Sequence, residues 1–211
     1  MVSFLSSYPK TGRTSKHFQV QSYFYGMWKA AILGFIYLFL YSQKMNEPLV
    51  FDFGEGKDFG RWSIINDGVM GGLSESKAQL SDDAVLFSGT VSLKNNGGFV
   101  SLRGPLGNYD LSEYSFCEIR YKSDTDRKFE LLIEKETPFY LPKYRKKFGE
   151  KSEDWQTLKI PLRDLEISRM GNTMAKGIDP KELAGIKRFG FILADKKEGS
   201  FELWVDYLKF Y

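Results

Sequence analysis

Histidine and cysteine are almost missing from this chain: among its 211 residues, His17 and Cys117 are the only ones. A lone cysteine excludes an intramolecular disulfide and leaves the redox compartment open. Because His17 falls in the N-terminal stretch, everything after it lacks imidazole. Ser-His and Cys-His nucleophile systems are thereby excluded, as are histidine-based transition-metal clusters. Paired carboxylates acting on glycosides would be the remaining chemistry, and their separation is not readable in a sequence. The expectation is a protein that is not an enzyme, with no catalytic residue, no metal and no cofactor.

Acidic residues are missing from the first 42 positions, which carry Lys10, Arg13, Lys16 and Lys29. The formal charge of +3 comes from 30 basic and 27 acidic residues. Without those four cations, 26 basic residues face the same 27 acids, a balance of −1. The remainder has no basic excess, so nucleic acid is not an expected partner. Long apolar runs are lacking too. The most apolar stretch, Ala30–Tyr41, would reach only about 18 Å as a helix, against a hydrocarbon core of roughly 30 Å. Preceded by Lys29 and followed by Ser42, it suits the apolar segment of a signal peptide, with a compact leader if translation starts at Met27. Extended back to Tyr23 it would serve as a signal anchor, with Lys29 snorkelling. A mitochondrial transit peptide is the third reading of the acid-free start. The expected division is therefore 1–42 targeting segment, 43–48 linker and 49–211 folded domain. The favoured location is exported or membrane-anchored, in a bacterial periplasm or cell envelope, with the mitochondrion as the alternative.

What the chain does have is enough apolar material for a core, 42% hydrophobic and 16% aromatic residues, arranged with a period of two. Leu49, Phe51 and Phe53 share one face. Val85, Phe87, Gly89, Val91 and Leu93 share another, with Ser88, Thr90 and Ser92 opposite. Cys117, Ile119 and Tyr121 alternate with Glu118, Arg120 and Lys122. Phe129, Leu131 and Ile133 alternate with Glu130 and Glu134. Leu158, Ile160 and Leu162 follow, then Phe189, Phe191 and Leu193, and finally Phe201, Leu203, Val205 and Tyr207. Turn signals lie between them: Asn95-Asn96-Gly97-Gly98, read as a hairpin, Gly104-Pro105, Ser123-Asp124 and Glu198-Gly199. Asp179 before Pro180, with Glu182 after it, predicts one short helix. Thr137–Asp154 and Ser168–Gly177 read as the longest irregular stretches. The fold class is an all-β sandwich of two antiparallel sheets.

Three segments carry a family resemblance: Asn66–Ser74 (NDGVMGGLS), Asn96–Arg103 (NGGFVSLR), and a set running from Asp154-Trp155-Gln156 through Ile160-Pro161-Leu162 and Phe189–Ile192 to Gly199–Leu203. In this order they resemble the complex I intermediate-associated protein 30 family, over nearly all of Leu49–Tyr211. The resemblance implies a galactose-binding-like jelly roll and a role in assembly, since mitochondrial members are chaperone-like factors for the membrane arm of respiratory complex I. The short leader is more similar to that of bacterial relatives, for which the complex I role does not follow automatically.

The residues expected to bind are Asp67, Met70 and Ser74 on the first motif, Arg103 after the second, Tyr140, Tyr144 and Arg145 in an aromatic-basic stretch, and Trp155. Asn66-Asp67-Gly68 can equally be a self-capping turn, with Gly71-Gly72 admitting close backbone approach. Arg103 can fork onto a carboxylate, of a ligand or of the protein itself. Residues 139–148 interleave rings with four basic residues, as anion-binding and sugar-binding surfaces do. If they form a functional loop, their deletion would leave folding intact. The expected partner is a protein, for instance a membrane complex subunit, with carbohydrate as the alternative.

Overall fold

A computed structural model describes residues 47–54 and 59–211, together with the single positions 32 and 34. The leader expected over 1–42, with its start at Met27 and its cut after Ser42, lies outside the described residues apart from those two positions. No helix among the described residues is long and apolar enough to cross a membrane. The chain divides into two compact units, Met1–Met45 and Asn46–Tyr211.

The strands of the second unit are β1 (Leu49–Asp52), β2 (Ser63–Asn66), β3 (Glu75–Ser81), β4 (Ala84–Val91), β5 (Val100–Arg103), β6 (Phe116–Ser123), β7 (Phe129–Glu134), β8 (Lys143–Phe148), β9 (Ser152–Pro161), β10 (Glu166–Arg169), β11 (Asn172–Lys176), β12 (Arg188–Leu193) and β13 (Gly199–Phe210). They form a six-stranded sheet, β3-β4-β13-β6-β9 with β1 also on β13, and a seven-stranded sheet, β11-β10-β8-β7-β12-β5-β2. The long β13 aligns residues 199–205 with β4, then residues 207–210 with β1. The two-sheet sandwich required by the alternation is what the chain adopts.

Each alternating run sends its apolar set inward. Phe87, Phe201, Leu203, Ile119 and Cys117 from one sheet, with Phe129, Leu131, Phe189 and Phe191 from the other, belong to one buried cluster. Trp62 stacks on Phe191 at 5.8 Å and meets Phe53 edge-on at 5.0 Å, while Phe189 and Phe210 approach to 4.8 Å. Such pairs add about 1 kcal/mol each to the roughly 2–3 kcal/mol of burying a phenylalanine. Aromatic rings therefore pack with aliphatic side chains in the layer that joins the two sheets.

Three expectations change here. The predicted helix is a single 3-10 turn, Pro180–Leu183, capped by the Asp179 carboxylate, which accepts from the Lys181 amide at 3.0 Å. The segment 95–98 is not a hairpin but part of a crossover from β4 in one sheet to β5 in the other. The stretches 137–154 and 168–177 are largely strand rather than irregular, because β8 pairs with both β7 and β10, and β10 with β11. Their polarity misled because β8 buries only Tyr144 and Phe148 against the core, while its Lys143 and Arg145 pair with Glu134 and Glu130 on β7.

Candidate functional site

The first two family motifs are both crossovers between the sheets. Residues 67–74 carry the chain from β2 to β3, and residues 92–99 carry it from β4 to β5. They meet at Asp67, which is wholly buried. Its Oδ1 accepts from the Ser74 amide at 2.9 Å, and its Oδ2 accepts from the Ser74 hydroxyl and from the amides of Gly98 at 2.6 Å and Phe99 at 3.2 Å. Ser74 Oγ in turn accepts from the Ser92 amide at 3.0 Å. Burial by itself would raise the Asp67 carboxyl, but the Ser74 hydroxyl and the three backbone amides together hold it below the usual carboxylate range.

This carboxylate also explains the glycines. A Cβ on Gly72 would lie 2.4 Å from Asp67 Cγ, and one on Gly97 would lie 2.6 Å from Asp67 Oδ2. Both are closer than non-bonded atoms approach, and Asp67 is pinned by four donors. The two motifs are therefore the halves of one knot that ties the sheets together at the β2/β3 edge.

The knot presents apolar side chains outward. Between Asp67 and Ser74 the 3-10 turn Asp67–Met70 ends at Gly71, whose φ of 86° reverses the chain. Val69, Met70 and Leu73 are 73%, 58% and 55% exposed, and Leu93 on the second crossover is 42% exposed. The Asn95 side-chain Nδ2 donates to Gly71 O at 3.2 Å, bridging the two crossovers beside this tip. Of the three residues expected on this motif, Met70 faces solvent, whereas Asp67 and Ser74 direct their polar atoms into the knot. Val69, Leu73 and Leu93 were missed, although three large apolar residues among glycines in a connection are a readable signal.

Arg103 and Arg145 both lie on the outer face of the seven-stranded sheet. One cross-strand row runs Glu166–Arg145–Leu132–Gly190–Arg103–Ser63. The neighbouring row carries Ser168 beside Lys143 and Glu134 beside Arg188. Glu134 holds Arg188 at 2.6 Å, Arg103 at 2.9 Å and Lys143 at 3.4 Å, and Glu130 holds Arg145 at 2.9 Å. Burial would raise the Glu134 carboxyl, yet the charges of Arg103, Arg188 and Lys143 and the Arg188 hydrogen bond keep it low. The carboxylate expected for Arg103 is thus supplied by the protein. Gly190 makes this possible: its absent Cβ would lie 2.8 Å from Arg103 Cδ, so the arginine stem crosses the sheet over it. Glu134, Lys143 and Arg188 were not singled out from sequence, because the partners lie up to 54 positions apart.

The other expected residues disperse. Tyr144 points into the core and its hydroxyl lies 3.4 Å from Glu182 Oε2. Tyr140 is exposed beside Phe139 in the connection before β8. Trp155 lies on the outer face of the other sheet, under Arg120 at 4.7 Å and Lys122 at 5.2 Å. With Arg120 it borders an open recess of about 380 Å3 that also has Asp52, Gly54, Asp82, Asp83 and Asp206 around it.

The fold is an antiparallel two-sheet sandwich whose recess and loop tips offer polar and apolar contacts. The family described as Complex I intermediate-associated protein 30 matches residues 51–205. The chain belongs to that family. A mouse relative, "Complex I intermediate-associated protein 30, mitochondrial", is 28% identical over 182 residues, covering 76% of this chain and 55% of that protein. The chain thus spans little more than half of that relative's length. Among solved structures, the chain is similar to the family 11 carbohydrate-binding module of Clostridium thermocellum in complex with a β-1,3-1,4-mixed-linked tetrasaccharide. The TM-score is 0.55 at 17% identity, over 77% of this chain and 94% of that one. A solution structure of CtCBM11 gives 0.51 at 18% identity, over 80% and 96%. At these identities the likeness concerns the fold.

Proposed function

We propose that this domain is a non-catalytic assembly-factor or chaperone-like binding protein, and that it engages a membrane-complex subunit through the apolar tip Val69, Met70 and Leu73. The observation that carries this reading is the tip's construction. Three large apolar side chains are held in solvent by a loop that a buried carboxylate fastens to both sheets. Apolar residues exposed on a fixed scaffold mark interaction surfaces, since pre-ordering removes part of the entropic cost of binding. The family's name and the mouse relative's name point the same way. A location beside a membrane suits this partner: the cell envelope, with residues 30–41 as signal segment or anchor, or the mitochondrion that the mouse relative's name states.

The test is in-cell crosslinking from a photoreactive residue at Met70. One membrane protein is expected to recur among the captured species and to disappear in the Val69→Ser/Leu73→Ser variant. Undiminished capture of that protein by the variant would sink the reading. Surface changes at these positions should leave the thermal midpoint within a few degrees, because neither side chain belongs to the core.

A carbohydrate-binding reading rests on the Trp155 recess, where an aromatic ring adjoins carboxylates able to accept from sugar hydroxyls. Arg120 and Lys122 already cover the indole, which weighs against a free stacking platform. Selective micromolar binding on a glycan array, abolished by Trp155→Ala, would favour this reading over the assembly one.

A further inference from the structure

The outer face of the seven-stranded sheet holds more positive charge than its own carboxylates balance among the described residues. Arg103, Lys143, Arg145 and Arg188, with side chains only 5–16% exposed, face Glu130 and Glu134 at 12% and 3%. Glu166, half-buried beside Arg145 in the same cross-strand row, is the third carboxylate of this face, so four cations face three acids. Taking charges out of water is costly unless each is matched, and the surplus cation in so sheltered a place asks for a counter-charge. The hydrogen-bond inventory makes the same demand. Arg103 Nε, Arg145 Nε and Ser168 Oγ are buried and have no partner among the described residues. Arg103 and Ser168 are themselves 9% and 4% exposed. Buried donors without acceptors are rare, and several on one sheet face are a signature of something that should be there.

The geometry shows where. The Arg103 stem crosses Gly190 towards β7 and its guanidinium reaches Glu134, while Arg145 reaches Glu130 on the same strand. The two arginines therefore reach onto β7 from opposite sides, Arg103 at Glu134 and Arg145 at Glu130, the outward positions that flank Leu132. Leu132 is buried yet belongs to the face opposite the main core, so it forms an apolar floor beneath the charges. They are close enough to act on one another: burial lowers the affinity of Arg103 for its proton, Glu134 opposes this, and Arg188 and Arg145 lower it further.

We infer that this face is a binding site for a small oxyanion, a phosphate or carboxylate group, received by Arg103 and Arg145 above Leu132 with Ser168 and Lys143 at its margin. Guanidinium forks match planar or tetrahedral oxyanions, and each has an Nε–H to offer. The site is separate from the apolar tip and stands or falls independently of it. An oxyanion could arrive free or as the headgroup of an anionic lipid, which share this chemistry.

The test uses the full chain and inorganic phosphate. In nitrogen–proton correlation spectra, titration should shift the arginine Nε–H signals of Arg103 and Arg145 to saturation, and raise the thermal midpoint. Sodium chloride at equal ionic strength should do neither. Arg145→Gln, the more exposed of the two, should weaken phosphate binding at least tenfold while retaining the fold, and Ser168→Ala should weaken it several-fold. Vesicles containing phosphatidic acid, compared with pure phosphatidylcholine, separate the sources: protection of the same two signals by the former only identifies a headgroup. If phosphate leaves both Nε–H signals unmoved, if chloride reproduces the shifts, or if Arg145→Gln binds phosphate unchanged, the inference is overturned.

Discussion

Asp67 has no solvent contact, yet its environment favours the ionised form, since four donors converge on two oxygens. Asparagine at this position would keep the shape but turn an amide nitrogen towards groups that are themselves donors. Asp67→Asn should therefore cost about 3 kcal/mol in urea unfolding at pH 7, from one or two buried donors left without acceptors. The pH dependence has a definite sign. A carboxyl whose folded pKa lies below its unfolded value, about 3.9 for aspartate, stabilises the fold fully above that value. The contribution fades as pH falls through the lower, folded value. The deficit of Asp67→Asn should hence be largest near neutrality and shrink at pH 3 and below; a deficit constant from pH 7 to pH 2.5 would contradict the ionised knot. Glu134 and Asp195 are shifted in the same direction, so the variant should retain part of the wild-type acid sensitivity. The glycines test the same knot without changing a charge. Gly72→Ala or Gly97→Ala should destabilise by about 2 kcal/mol, as overpacking against a fixed group does.

At the scale of elements, what the sequence reveals depends on where a strand finds its partners. β4, β6, β7, β12 and β13 were legible because each places apolar residues at every second position against the core. β8 (KYRKKF) was not, because its outward Lys143 and Arg145 find their carboxylates on β7, and no local pattern announces that pairing. The same distance effect hid the oxyanion face, although apolar Leu132 and Ile192 on the polar sides of their strands were a trace of it. The knot was half legible. Its glycines and turn chemistry were visible in each motif, but not that one aspartate joins the two. This bears on the deletion of residues 139–148. Because β8 lies between β7 and β10, removing 143–148 would leave both with unpaired edges and strip Tyr144 and Phe148 from the core. That deletion should abolish cooperative thermal unfolding, whereas Phe139→Ser/Tyr140→Ser in the exposed connection should leave it intact. Cooperative unfolding after loss of 143–148 would mean that β8 is dispensable.

For the whole molecule, the lone cysteine provides a built-in reporter. Cys117 lies on β6, between β13 and β9, wholly buried on the face that packs against the other sheet. Burial, with a lesser push from Glu118, raises its thiol well above the ordinary range, so both access and thiolate are suppressed. Cys117 pairs with Phe210 on β13 and with Ile160 on β9, the edge strand of this sheet, so exposing it is expected to require β9 to part and the aromatic interlayer to open. Labelling by a thiol reagent such as DTNB should therefore be limited by opening of the sandwich. In the native state it should be slower than in denaturant by a factor approaching the folding equilibrium constant, some 10³-fold or more for a domain of ordinary stability. Asp67→Asn, which loosens the tie between the sheets, should accelerate labelling in proportion to its stability loss. Val69→Ser/Leu73→Ser should leave the rate unchanged, because the tip it alters stands outside the core. Labelling that proceeds rapidly in native buffer, or that ignores Asp67→Asn, would show that the β6 region opens independently of the knot.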